Sequence, residues 1–481
     1  MTKLATWTNL ICFFSILSAC SPSSPKRDVI ASMNELSKIS AGASSDSSLG
    51  SATNLKATYK QIGLWLETTM VQCPERIWPT YDWRKMNVLM LEKGQPSLVW
   101  RGSTGTVEDL AETDIPVGAR QGIYSFFDWH GEDAVAIYSD GTSDYFFKSP
   151  IQIFELIIHE GFHRLGQKNW HVLDGQRGTV YPVDADPRLY RRMIYDRISE
   201  FYESGGTQQL SLAHAAYWFQ EWRRQFPVEV LGTTDGYEGT ARYVEYLGAT
   251  IAESGCNASD DQLKTGLEAK IVKDRPFMSG DSFETDGEGY ALGSLSAFTL
   301  RLVRNDRDWF AKMVDGETPV SVLLQNINAV AEIAPADLKQ HFQNTKDQTN
   351  KSLGGWMDSE ILHQRDQNFV RVAFSSSSMQ GAYSPKGFYI PATLAGVTMM
   401  PLAVAYSFGN STWAMTAEVD STLAISKGPC GGESFSALIE AKDYRFQTRD
   451  AQLVLDTASL HGSMPGEEKR DSDGFVWFCG Q

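Results

Sequence analysis

Positive charge is scarce in this chain. Its 43 Lys and Arg face 59 Asp and Glu, a formal net charge of −16 over 481 residues. Such a surface repels polyanions, which argues against a nucleic-acid partner and against binding anionic lipid by charge. Glycine-rich phosphate loops are missing as well, so nothing points to nucleotide chemistry. Cysteine is limited to six residues, none of them in a CxxC pair, and a cysteine-held zinc site is therefore not expected. There are no internal repeats. The remaining composition is that of a globular protein, with 42% hydrophobic residues, and the length suffices for two or three domains and a large core.

The N-terminus reads as a targeting segment. Lys3 gives a weakly positive start, and "LICFFSIL", Leu10 to Leu17, is an apolar stretch too short to span a bilayer as a mature helix. "LSAC", Leu17 to Cys20, follows. It resembles a bacterial lipobox, which implies cleavage after residue 19 and a mature chain beginning at lipid-bearing Cys20. In enterobacterial sorting an Asp after that cysteine favours inner-membrane retention. Ser21 stands there, so the resemblance implies a lipid anchor in the outer membrane, facing periplasm or cell surface. The competing reading is an ordinary secretory signal with an incidental cysteine. Residues 20–58 are rich in Ser, Ala, Gly and Lys and are expected to form a flexible tether.

In an oxidising compartment Cys73, Cys256, Cys430 and Cys479 remain for disulfides, since Cys12 falls in the signal and Cys20 would be acylated. Three pairings are possible. Cys430 with Cys479 is favoured, leaving Cys73 with Cys256.

From Tyr59 the pattern is globular. "MNVLMLEKG" and "DAVAIYSDG" read as strands ending in turn residues, and beyond Pro150 long segments carry apolar residues at three- and four-residue intervals. Residues 59–350 are thus expected to be mostly helical with a small N-terminal sheet. Near Gln364 the texture changes to Val, Thr, Ser, Phe and Gly with frequent turn signals, so 366–481 is expected to be a small all-β domain. That domain serves either as a structural module or as a substrate- or surface-binding one. The fold class is α+β.

One helix carries chemistry. "SPIQIFELIIHEGFHRLG", Ser149 to Gly166, has Ser149 where a cap belongs, Pro150 at the first helical position and Gly166 as a stop. Inside this apolar run, His159 and His163 are four apart and share a face, so both imidazoles can reach one ion. Glu160 is rotated about 100° from His159 and can address a water beside that ion. This is the HExxH pattern, in which neutral imidazoles hold Zn²⁺ and the carboxylate acts as general base. Gly161 costs about 1 kcal/mol against Ala inside a helix and would admit a close backbone neighbour.

A third ligand must come from a distant segment. "DGYEGTARYVEYLG", Asp235 to Gly248, offers Glu238. Here the chain resembles the gluzincin metallopeptidases, in which a Glu on a later helix, often in an "EG.A" context, joins HExxH; Glu238, Gly239 and Ala241 match. The likeness spans roughly residues 78–305 and implies a zincin-like domain that cleaves peptide or protein substrates. Alternatively, Asp235 and Glu238 form a capping box, and Glu245, seven residues on and on the same face, is the ligand. Otherwise Glu245 orients a ligand histidine from behind. Several gluzincins carry a carboxylate four residues after the ligand Glu; this chain has Arg242. Family members stabilise the oxyanion with a downstream Tyr or His, and Tyr290 in "GEGYALGSL" is the matching candidate, with His171 and His214 as alternatives. The sequence therefore suggests a membrane-anchored zinc metallopeptidase. Two other readings stand beside it: a non-catalytic lipoprotein that keeps the fold as a binding or scaffold module, and a zinc hydrolase acting on non-peptide substrates.

Overall fold

The computed structural model describes residues 52–480, apart from 117, 121–122, 140–148, 171–177, 228, 230–233, 284, 376–378, 384–386, 395, 403, 410–412, 432, 448–451 and 458–459. The signal segment, Cys20, most of the tether and His171 lie outside the described residues. The chain is a mixed α/β protein with a helical region and a separate β-sheet region. Among the described residues no helix is long and apolar enough to cross a membrane.

The first helix, α1 (Ala52–Leu66), begins before Tyr59, where the globular pattern is expected to start. Its opening turns are polar and look like linker. Its later turns bury Tyr59, Ile62 and Leu66 at three- and four-residue spacing, and that packing fixes the helix.

A five-stranded sheet follows. It is built from β1 (Met86–Glu92), β2 (Leu98–Arg101), β3 (Thr106–Asp109), β4 (Tyr124–Trp129) and β5 (Glu132–Ser139), in the order β3-β2-β1-β5-β4. The central strand β1 runs parallel to β5, with Val88 opposite Val135 and Met90 opposite Ile137. Alternate side chains enter different cores, as a period of two requires. Val88, Met90, Trp100, Val135 and Ile137 join the main core, whereas Leu89, Leu91, Val99, Ala134 and Ala136 form a smaller one on the opposite face. Although β5 immediately precedes the motif helix, it is not the sheet edge; β4 lies outside it.

The motif helix α2 (Pro150–Gly161) continues as a π-helical turn over Phe162–Gly166, so His163 lies in the π turn. π turns concentrate at functional sites. Ser149 stands at the cap position without a side-chain capping bond, and Pro150 occupies the first turn. Phe154, Ile157, Ile158 and Phe162 are fully buried. Each contributes about 1.5–3 kcal/mol by leaving water, which holds the helix through the core despite its polar insertions. A Cβ on Gly161 would lie 2.7 Å from Met86 Sδ and 2.9 Å from Met86 Cε. The expected close neighbour is thus a side chain of β1, not a backbone.

Further helices follow α2: α3 (Ala185–Glu203), α4 (Gln209–Gln225), α5 (Tyr237–Ser254), α6 (Asp260–Asp274) and α7 (Thr285–Phe298), the last extended by a π turn over Thr299–Val303. Helix α5 packs on both α2 and α7. Where α5 crosses α2, a Cβ on Gly248 would lie 2.5 Å from Ile158 Cδ1, so glycine permits that approach. Two short helices, α8 (Trp309–Val314) and α9 (Pro319–Leu324), lead to α10 (Ala336–His363), which is far longer than its segment "PADLKQHFQNTK" suggests.

Beyond α10 the described elements are all strands. The described strands between residues 369 and 480 form one connected sheet that also takes in β6 (Thr179–Tyr181) of the helical region, which pairs in parallel with β7 (Phe388–Pro391). Tyr389, Met400, Leu402 and Ala424 from this region join the main core, while a second cluster around Phe374, Phe408, Phe435 and Phe478 forms its own. Both expected disulfides are present, Cys73–Cys256 and Cys430–Cys479.

Candidate metal centre

Helix α2 delivers His159 and His163, and the first turn of α5 delivers Glu238. All three side chains are buried. His159 Nε2 and His163 Nε2 are 3.0 Å apart, and Glu238 Oε2 lies 3.3 Å from the first and 3.2 Å from the second. Donors about 2.0–2.1 Å from a tetrahedral ion are about 3.3 Å from one another. The triangle therefore has the size that such a site needs.

The protons on the histidines follow from what lies behind them. His159 Nδ1 is 2.9 Å from Glu245 Oε2, and a carboxylate can only accept, so Nδ1 donates. His163 Nδ1 is 2.5 Å from Gln167 Oε1. Gln167 Nε2 donates to the Tyr237 carbonyl at 2.6 Å and to Thr240 Oγ1 at 2.8 Å, which assigns Oε1 as the acceptor. With both Nδ1 atoms donating to partners behind them, the neutral form of each ring has its Nε2 lone pair turned toward Glu238 Oε2. Three acceptors converge within hydrogen-bond distance. One added proton can bridge a single pair, whereas a cation satisfies all three.

The capping-box account of Glu238 is not realised. The α5 cap position is Gly236, with no side-chain capping bond, and Asp235 is held by Arg191. Glu245 instead stands behind His159. Its carboxylate accepts from Arg242 Nη1 at 2.8 and 3.0 Å as well. Burial alone would raise the Glu245 carboxyl, but Arg242 and the bond from His159 outweigh it and bring it down to about 2. Arg242 thus anchors the carboxylate that accepts from His159. It also lies 4.6 Å over the Tyr290 ring.

Glu160, fully buried, follows His159 on α2. Tyr290 on α7 is buried with its ring 5.8 Å from that of His159. His214 does not join them, because its Nδ1 donates to the Val330 carbonyl at 2.9 Å. Sequence reasoning missed Gln167 and Tyr237. The Tyr237 ring stacks on His163 at 4.3 Å with an interplanar angle of 13°. The available signals were positional: Gln167 is four residues past His163, and Tyr237 precedes Glu238. Also missed was a buried charge cluster at the start of α5, in which Arg188 and Arg191 of α3 meet Glu229, Asp235 and Glu288.

No protein-family model, no curated protein and no solved structure matches this chain.

Proposed function

We propose that this protein is a gluzincin-type zinc metallopeptidase, tethered to the bacterial cell envelope through lipid on Cys20. The observation that carries the reading is the convergence of His159 Nε2, His163 Nε2 and Glu238 Oε2, with both Nδ1 protons committed elsewhere. Two imidazoles and one carboxylate, closed on three sides, form the donor set of catalytic zinc sites, which keep a fourth position for water or substrate. When bound, zinc lowers the pKa of a water and polarises a carbonyl. Glu160 takes the proton of the attacking water and passes it to the leaving amine. Tyr290 donates its hydroxyl hydrogen to the developing oxyanion. Glu245 and Gln167 keep the imidazoles in the Nδ1–H tautomer, so each presents a lone pair to the ion.

Elemental analysis of the soluble form starting after Cys20, combined with a chelator-sensitive digest of a peptide library, tests the reading. His163→Ala and Glu238→Ala should lose zinc. Glu160→Gln should keep zinc and lose about 10²–10⁴-fold in rate. A folded wild-type protein without zinc would refute the enzyme reading and favour a scaffold. A zinc-loaded protein that cleaves no peptide would point to a non-peptide substrate.

A further inference from the structure

The buried cluster at the start of α5 has a consequence for the ligand Glu238. Arg191 is 2% exposed and lies 4.9 Å over the Trp222 ring. Its Nη2 and Nη1 donate to the two carboxylate oxygens of Asp235 at 2.5 and 3.0 Å. Its Nε donates to Glu288 Oε2 at 2.8 Å. Asp235 stands three residues before Glu238, and Glu288 lies in the first turns of α7. A single guanidinium therefore joins the starts of two helices.

Those helices meet backbone to backbone at the same place. A Cβ on Gly239 would lie 2.5 Å from Gly293 Cα and 2.9 Å from the Gly289 carbonyl oxygen, and a Cβ on Gly293 would lie 2.3 Å from the Asp235 carbonyl oxygen. The glycines set how closely α5 approaches α7. Having no side chains, they set the approach of α5 without fixing its rotation. On the α2 side Gln167 holds the first turn of α5 through the Tyr237 carbonyl and Thr240, and on the α7 side the planar, bidentate fork of Arg191 on Asp235 adds a second restraint.

We infer that Arg191 is a positioning residue for the metal site: by clamping Asp235 against Glu288 it sets the orientation of the first turn of α5 and hence of the Glu238 carboxylate. The inference rests on the metal-site reading of Glu238. A cluster of this kind is weak evidence for stability, since apolar residues of equal volume often serve as well. Its placement at the turn of α5 that carries Glu238 gives it a geometric role.

The test compares Arg191→Lys, Asp235→Asn and Gly293→Ala with Leu263→Ala, a buried position on α6 that serves as a stability control. Zinc Kd is measured by chelator competition, ligand geometry by the visible spectrum of the cobalt(II)-loaded protein, and stability by thermal melting. Arg191→Lys keeps the charge but not the fork. It and Gly293→Ala should raise the zinc Kd by about 10–100-fold and change the cobalt spectrum. Leu263→Ala should lower the melting temperature and leave both unchanged. Should Arg191→Lys fail to fold, the milder Asp235→Asn decides the question by the same two measurements. Lower melting temperatures with wild-type Kd and cobalt spectrum would overturn the inference. A folded wild type that binds no zinc would remove the metal-site reading and this one with it. A wild type that binds zinc but cleaves no peptide would sink only the peptidase assignment, since Kd and spectrum still decide the role of Arg191.

Discussion

Replacing Glu245 by Gln removes one charge and little else. The native carboxylate does two jobs: Oε2 accepts from His159 Nδ1 at 2.9 Å, and both oxygens accept from Arg242 Nη1 at 2.8 and 3.0 Å. Glutamine has one acceptor oxygen. If that oxygen stays on His159, the amide NH2 faces Arg242, donor against donor. If the amide turns, His159 Nδ1 loses its acceptor. Either way about one charge-assisted bond goes, worth about 1.5–3 kcal/mol in a buried setting. The loss falls on the metal because His159 is then free to rotate or change tautomer. Partners behind a ligand histidine typically contribute 10–100-fold in metal affinity, or about 1.4–2.7 kcal/mol, the same range. Glu245→Gln should therefore raise the zinc Kd by about 10–100-fold in chelator competition at neutral pH. The chelated protein should also unfold more easily, because among the described residues Arg242 keeps only Asp274, at 3.6 Å, as a carboxylate partner. An unchanged zinc Kd in a folded variant would refute the claim that Glu245 orients His159.

Other outcomes follow from other parts of the molecule. The Cys73–Cys256 and Cys430–Cys479 bridges span 183 and 49 residues, so in the chain-entropy model they contribute about 5 and about 4 kcal/mol. Paired Cys→Ser variants should lower the thermal midpoint accordingly, and free thiols in oxidatively expressed wild type would contradict both bridges. Half-buried Glu360 on α10 has its carboxyl raised from 4.5 to about 7 by burial, against the pull of Gln364 and Arg371. The folded state then holds that proton more tightly than the unfolded one, so its contribution to stability is present below the ordinary carboxylate value and is lost as pH rises through about 7. Glu360→Gln should stabilise by about 1–2 kcal/mol at pH about 8 and change little at pH about 4, allowing for solvent access; equal denaturation midpoints at the higher pH would count against it. Finally, Cys20→Ser should release the protein from the membrane fraction or leave it unprocessed. Membrane retention of a processed mutant would rule out the lipid anchor.

Local pattern makes much of this chain legible. Strand β1, strand β5 and the motif helix are readable because their apolar spacing and end residues sit within one short window. HExxH is readable for the same reason: two histidines and a glutamate on one helix are related by helical geometry alone. The β region is readable by composition, yet β9 (His461–Arg470, "HGSMPGEEKR") is not. Its glycines, proline and charges disfavour strand, and pairing with β8 (Gln452–Asp456) and β10 (Val476–Gly480) imposes it. Helix α6 escapes notice because few of its residues are buried, although Ser259 and Gln262 form a full capping box. The start of α1 escapes notice because the helix is fixed by packing in its later turns.

What the sequence could not decide was which carboxylate completes the triangle. Glu238 and Glu245 lie on one face of α5, and local geometry allows either to be the ligand. The choice depends on where α5 crosses α2, which is set by Ile158 seating against Gly248, and on how its first turn is held by the Gly239–Gly293 contact and Arg191. Those contacts join residues 44 to 90 positions apart, and no periodicity in a single chain encodes such pairings. The same holds for Arg242. In sequence it is a departure from a family pattern. In the fold it is the cation that keeps Glu245 ionised behind His159. Residue types and spacing along one helix placed the two histidines and Glu160, while packing between helices assigned Glu238 and Glu245 their places, because the distance between two side chains on different elements is a property of the core that separates them.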